Sequence, residues 1–364
     1  MNKLCLALLI VFTSAAVSFS QIISQRASAR IQFNYQSWSI ENSGDISEIT
    51  VPLSVYYPVN RNFSATLRGN GASATGDNME SISGFTDTQL GLNYFLENAN
   101  LVFNLSFNFP SGKTELDTLQ FATSALISNN IFNLNTPNFG QGLNVSAGFT
   151  WAIPAGETFV AGVGASYQYK SSFKPLDIMA TDYDPGDEVL LTGGFDARLG
   201  GTATFSADAI FTLFGTDKFG NDEVFAPGNR LVLNAQFRKY FGINDFWLFA
   251  RFRSRAKNEQ AAILGQALVA ETENSNPRQF EVMSHYRLRL NPKIFLRILA
   301  EGKFYQQTTV AFSGATLFGG GLAPEFMLSQ RVSAPVILKF LKGSIKDGPS
   351  LTGFEIGAGL NFSF

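Results

Sequence analysis

Charged side chains that could act on a solute gather late in this chain. Arg251, Arg253 and Arg255 alternate with Phe252 and Ser254. On an extended backbone the three guanidiniums therefore share one face. Arg230 and Arg238 come before them, Glu281, His285, Arg287 and Arg289 follow on a single parity, and Arg297, Glu301 and Lys303 repeat the pattern. Two chemistries fit these residues. A basic stripe along a water-filled passage would favour anions or anionic head groups. A salt-bridged lumen, with Glu281, Glu301 and Glu325 neutralising the arginines, would instead stiffen a wall.

Catalytic chemistry has little to work with. His285 is the one histidine of the chain. A barrel hydrolase needs a Ser–His pair on the lipid side near one rim. His285 has the same parity as the arginines, and its neighbours Ser284 and Tyr286 have the other. Asp182, Asp184 and Asp187 could hold a loop calcium, but Pro185-Gly186 interrupts them and a solvated loop is expected. There is no phosphate loop, dinucleotide glycine motif or zinc-ligand spacing. Neither an enzyme nor a bound cofactor or metal is expected.

The elements that must present these residues are strands. In the final segment Phe354, Ile356, Ala358, Leu360, Phe362 and Phe364 take one parity, and Glu355, Gly357, Gly359, Asn361 and Ser363 the other. A transmembrane barrel strand of about 9–11 residues shows this dyad pattern. The same alternation recurs along the chain, most clearly at Leu101, Phe103, Leu105, Phe107 and Phe109, where Pro110 ends it. An Arg at the lipid midplane costs about 2–4 kcal/mol, so the arginine parity must face inward. The expected fold is all-β, a transmembrane antiparallel β-barrel of about 14–16 strands, with sixteen segments countable.

Composition supports export to a membrane. Lys3, the apolar run Leu4 to Val17 and the small residues Ser18 and Ser20 form a signal peptide over residues 1–20, leaving 21–364 as one barrel domain. The one cysteine, Cys5, lies in the signal, so no disulfide is expected. Apolar residues make up 45% of the chain and 36 residues are Phe, yet beyond residue 20 no run approaches a membrane helix. Without Lys3 there are 26 basic residues against 29 acidic, which gives no hint of nucleic-acid binding. The bacterial outer membrane and its lipid bilayer are the expected location. Leu360, Phe362 and Phe364 resemble the terminal signature that the barrel-assembly machinery reads.

Connections alternate in length. Short turns at 58–62, 97–98, 154–157, 200–201, 242–245 and 291–293 alternate with longer loops, as periplasmic turns and outer loops do. A Gly/Ser/Ala stretch from Gly69 to Gly84 reads as one of those loops. Residues 111–141 form the longest insertion, and its apolar middle, Leu119 to Leu134, suits a short helix that constricts the lumen.

One stretch carries a family resemblance. Thr86-Asp87-Thr88-Gln89-Leu90-Gly91-Leu92-Asn93-Tyr94, followed by Phe107-Asn108-Phe109-Pro110-Ser111-Gly112-Lys113 and by Leu143 to Trp151, resembles outer-membrane proteins associated with phenol meta-pathway degradation. That family usually has Gly directly before the Asp, where this chain has Thr86. The resemblance implies a transporter akin to long-chain fatty-acid transporters, passing small hydrophobic or amphipathic solutes passively. The alternative is a structural or adhesion barrel that binds a partner through loops 171–187, 214–228 and 257–277.

Overall fold

The computed structural model describes residues 26–364 apart from Asn78 and Ala311; the expected signal peptide lies outside the described residues. Sixteen antiparallel strands close into one barrel. In chain order they are β1 (Ser28–Ile40), β2 (Gly44–Pro58), β3 (Phe63–Gly76), β4 (Thr88–Leu96), β5 (Leu101–Phe109), β6 (Asn144–Pro154), β7 (Phe159–Lys170) and β8 (Glu188–Leu199). Then come β9 (Ala203–Phe214), β10 (Arg230–Phe241), β11 (Asn244–Arg255), β12 (Gln279–Asn291), β13 (Ile294–Tyr305), β14 (Ala315–Met327), β15 (Val332–Ile345) and β16 (Ser350–Ser363). Each strand pairs with its sequence neighbours. The seam closes where β16 pairs with β1 along its whole length, from Ser28↔Ser363 to Ile40↔Leu351. Closure removes the free edge, which hydrocarbon could not satisfy.

The alternation read from the sequence sets which side chains face lipid. Phe33, Leu53, Tyr94, Phe103, Phe149, Tyr167, Leu191 and Phe340 are large, apolar or aromatic, and exposed on the outer surface. Residues of the opposite parity on the same strands, Asn34, Thr50, Asn144, Thr150, Gln168 and Glu188, are buried. So broad an apolar belt would be insoluble in water and suits a bilayer.

The two ends of the barrel differ. Tight turns at 59–62, 97–100, 155–158, 200–202, 242–243, 292–293 and 328–331 form one end. The other end carries the long connections, although 41–43 and 346–349 there are also short. Pieces of loops 171–187, 215–229 and 256–278 pair into a separate five-stranded sheet at this loop end, built from Tyr183–Asp184, Asp217–Phe219, Asp222–Ala226, Glu259–Gln260 and Val269–Ala270.

The Gly/Ser/Ala stretch is a correction. Residues 69–76 continue β3, and Ile82–Phe85 pairs back on it as a short strand. Its small side chains read as a loop, but they face inward at a crowded place. Ala72 and Ala74 are buried against the inserted segment that follows β5. Small residues there leave the room that the insertion fills.

Candidate functional site

The lumen is the site, and residues 110–143 divide it. This insertion leaves the loop end of β5 and folds into the barrel. Its helix α1 (Thr118–Ile127) starts at Asp117, whose side chain accepts the Gln120 N–H at 2.8 Å, the usual helix-start arrangement. The residues after α1 then pack on the inner wall. Ile127, Ile131, Phe132, Leu134 and Phe139 join Trp38 and Ile40 of β1, Ile46 of β2, Leu317 of β14, Leu341 of β15 and Leu351 of β16 in one apolar core. Phe132 meets Trp38 edge-on at 5.8 Å between ring centroids. Trp38 in turn lies over Gly353, where a Cβ would come within 2.8 Å of the ring.

Polar anchors fix the insertion's register on the wall. The Thr136 N–H donates to both Glu48 carboxylate oxygens, at 3.0 and 3.1 Å. The Asn135 N–H donates to Gln36 Oε1 at 3.0 Å, and Asn70 Nδ2 to Thr136 Oγ1 at 2.6 Å. The Tyr305 hydroxyl donates to the Asn130 carbonyl at 3.0 Å. Thus the longest connection packs inside the barrel, against β1–β3 and β13–β16.

Asp87 closes the base of the insertion. Its Oδ1 accepts the Gly112 N–H at 3.0 Å, and its Oδ2 accepts the Gln141 N–H at 2.9 Å and Asn108 Nδ2 at 2.8 Å. Gly112 tolerates no side chain, since a Cβ would lie 2.0 Å from the Phe139 carbonyl. The Asp and the Pro-x-Gly of the family-like stretch therefore meet in space, and their shared work is to hold both ends of the insertion.

The late charged residues all sit on inward-facing positions, but they do not form an unbroken basic stripe. Glu281 takes Arg253 at 3.4 Å and Arg251 at 3.8 Å. Asp245 takes Arg238 at 3.2 Å, His285 at 3.8 Å and Arg287 at 4.0 Å. Arg297 meets Glu325 at 3.7 Å, and Lys339 bridges Glu301 at 3.4 Å and Glu355 at 2.9 Å. Lys303 is buried on the same face of β13 as Glu301. The remaining guanidiniums stack on rings: Arg255 and Arg230 on Phe214 at 4.6 and 5.3 Å, and Arg289 on Phe295 at 5.8 Å. His285 lies flat on Trp247, centroids 5.0 Å apart, between that ring and Asp245. Glu281 and Glu325 thus pair with arginines, whereas Glu301 pairs with Lys339. The wall's carboxylates are interleaved with the arginines strand by strand, and Asp245 and Lys339 joined the network without being singled out in the sequence.

The unfilled part of the lumen lies opposite, along β3–β9. A cavity of about 470 Å³ opens there between the insertion and the wall. Its wall mixes amides and hydroxyls, among them Asn93, Asn104, Ser106, Ser146, Thr150 and Ser166, with apolar side chains such as Leu92, Leu105 and Leu190. Phe173, Tyr183, Phe214 and Phe225 contribute rings at the loop end. The Tyr183 hydroxyl donates to Asp217; burial first, then that bond and the carboxylate's charge, push its pKa far above the ordinary tyrosine range. A smaller space of about 300 Å³ lies between Ser128–Ile131 and the loop ends of β10–β12, where Arg230, Arg253 and Arg255 line it.

Among the described residues no three His, Cys, Asp or Glu side chains come together as metal ligands. Asp187 of the loop-aspartate trio is taken by the Tyr167 hydroxyl and by the Lys170 N–H at 2.9 Å.

No family model matches the chain, and no curated protein matches it in sequence. Solved structures do match in shape. CdiB from Acinetobacter baumannii superposes with a TM-score of 0.56 at 10% identity, over 92% of this chain and 60% of that one. The fold is that of outer-membrane β-barrels. This chain spans about 60% of the length of CdiB. Pseudomonas aeruginosa OpdQ gives a TM-score of 0.47 at 8% identity, over 93% of this chain and 99% of that one. The outer membrane channel DcaP of A. baumannii gives 0.46 at 12% identity, over 93% and 97%.

Proposed function

We propose that this barrel sits in the bacterial outer membrane and lets small amphipathic solutes cross by passive diffusion, without catalysis. One observation carries the reading: a closed barrel with a lipid-facing belt keeps a cavity of about 470 Å³, lined by amides, hydroxyls and apolar side chains, beside an insertion packed on the opposite inner wall. A barrel serving only as a scaffold has no need of such a space. The amide and hydroxyl wall suits polar groups, and the rings at the loop end suit an apolar body. The family-like stretch around Asp87 and Gly112 points the same way. The loop end faces outward in this reading and the tight turns face the periplasm. Leu360, Phe362 and Phe364 then end β16 where the barrel-assembly machinery can engage them.

Purified protein in planar bilayers and in swelling assays with liposomes tests the proposal. Measurable conductance and faster entry of small solutes are expected. A barrel that inserts fully yet passes neither ions nor solutes would overturn it.

A second reading rests on the five-stranded sheet formed by loops 171–187, 215–229 and 256–278. Loops ordered into a sheet present a fixed surface, and an interaction barrel would use it to hold a partner outside the cell. Loss of surface binding after replacing these loops, with conductance intact, would favour that reading.

A further inference from the structure

The cavity beside the insertion has a charge pattern of its own, separate from the salt-bridged wall. Its lining includes three cations, Arg68, Lys170 and Arg255, against two carboxylates, Glu188 and Asp217. Four of these five are committed. Lys170 and Glu188 pair at 2.5 Å. Asp217 accepts from the Tyr183 hydroxyl and from the Gly186 N–H at 2.8 Å. Arg255 donates to the Gly228 carbonyl at 3.0 Å and lies over Phe214. Arg68 is left over. It faces the cavity from β3 and has neither an acidic partner nor a hydrogen bond among the described residues. Its neighbours across the sheet are Ser54 and Gln89, which carry no charge.

The register sets what stands beside it. Reading sideways from Arg68, the paired positions are Gln89, Asn108, Asn144 and Lys170, one on each of β4 to β7. One pleat along lie Gln168 and Glu188, directly opposed. Asn144, Gln168 and Glu188 are each more than nine-tenths buried and line the cavity. Each keeps an oxygen without a hydrogen-bond donor: Asn144 Oδ1, Gln168 Oε1 and Glu188 Oε2. Asn108 Oδ1 is also unpaired, and its orientation is fixed because Nδ2 donates to Asp87. Buried acceptors left without donors cost roughly 1–3 kcal/mol each, so a ligand that brings donors gains that energy back.

We propose that this cavity is a recognition site for a small organic monocarboxylate that also carries hydroxyl groups, with Arg68 as the residue that reads the carboxylate. The guanidinium presents a planar fork to the carboxylate at one end of the row. The ligand's hydroxyls donate to the Asn108, Asn144 and Gln168 oxygens further along. Its apolar body lies towards the Phe173 and Tyr183 rings, which meet edge-on at 5.8 Å. The excess of one positive charge in the lining disfavours dianions less than cations, but one guanidinium serves one carboxylate. This deepens the channel proposal by naming a solute class. It can also stand without it, because it concerns equilibrium binding.

The test is calorimetric titration of the detergent-solubilised barrel with three probes: mandelate, its neutral amide mandelamide, and phenylacetate, which lacks the hydroxyl. Mandelate is expected to bind roughly 10- to 100-fold more tightly than mandelamide, as for a charge-assisted pair, and more tightly than phenylacetate. Arg68→Gln should abolish the preference for mandelate over mandelamide and leave mandelamide unchanged. Arg68→Lys should keep part of it, which covers the case where the glutamine variant assembles poorly. Equal binding of acid and amide by the native protein, or an acid preference that survives Arg68→Gln, would overturn the proposal. Tight mandelate binding without any solute flux in liposomes would overturn the channel reading while leaving this site in place.

Discussion

The Asp87 carboxylate and the Gly112 amide hold each other at 3.0 Å, and the second oxygen of the same carboxylate takes the Gln141 amide. One side chain on the approach to β4 therefore closes the base of a long excursion. Asp87→Ala leaves two backbone N–H groups and Asn108 without their acceptor in a buried setting, a loss of about 1–3 kcal/mol for each. The expected result is a normally assembled barrel whose residues 110–143 become open to protease. Gly112→Ala should do the same for a steric reason, because the new methyl would meet the Phe139 carbonyl. Limited proteolysis of both variants beside the native protein checks this.

Removing the insertion should enlarge the pore. Its apolar side chains fill the lumen against β1–β3 and β13–β16. Deleting Leu119 to Leu134 is expected to raise single-channel conductance several-fold. Glu48→Gln should raise it in part, by weakening the two hydrogen bonds that hold Thr136. Single-channel recording gives the answer, and unchanged conductance in the deletion would show that the insertion is not the constriction.

Glu281 lies between two guanidiniums, with the Tyr305 hydroxyl oxygen 3.4 Å away. Glu281→Gln leaves Arg251 and Arg253 short of their counter-charge. Breaking such a buried pair costs about 3–5 kcal/mol. The variant should unfold at a clearly lower urea concentration, read by the loss of heat-modifiable gel mobility. If it inserts, its reversal potential should shift towards anions.

Much of this was legible beforehand. The two-residue period of Leu101 to Phe109 and of Phe354 to Phe364 gave the inward and outward faces, because lipid and lumen punish the wrong side chain strongly. The strand number followed for the same reason. The Gly/Ala run 69–76 was misleading, because small residues look alike in a loop and in a strand that must accommodate an insertion. Arg251, Arg253 and Arg255 could be seen to share a face, but that Glu281 takes the first two while Asp245 takes Arg238 and Arg287 could not be assigned. Ion pairs form across strands, and register is invisible in one sequence. Arg68 had the right parity and nothing to mark it, since its distinction is the absence of a neighbour.

The connection 256–278 at the loop end should loosen in acid. Burial raises the Glu271 pKa, but hydrogen bonds from Ser275 and Asn258 lower it further, leaving it below the usual carboxylate range. Those donors are Ser275 Oγ at 2.7 Å, Asn258 Nδ2 at 2.9 Å and both backbone N–H groups. A carboxyl with a depressed folded pKa stabilises fully above its unfolded pKa, and that stabilisation is lost as pH falls through the folded one. Hydrogen exchange across 256–278 should therefore be slow at neutral pH and quicken under acid. Glu271→Gln should show the quick exchange already at neutral pH.

Phe364 donates its N–H to the Ala27 carbonyl at 2.9 Å and stacks on Phe362. Deleting it should lower the amount of barrel that reaches the membrane, with little change in the conductance of the barrels that do. Yield by gel shift and conductance per channel, measured together, separate the two effects. Unaltered yield would remove the assembly role.

The insertion rests on Trp38 and Ile40 of β1 and, across the seam, on Leu351 of β16. Its seat is therefore shared by the first strand made and the last. Until those two strands meet, only half of that seat exists. A barrel caught before closure therefore offers the insertion only part of the surface that it packs on.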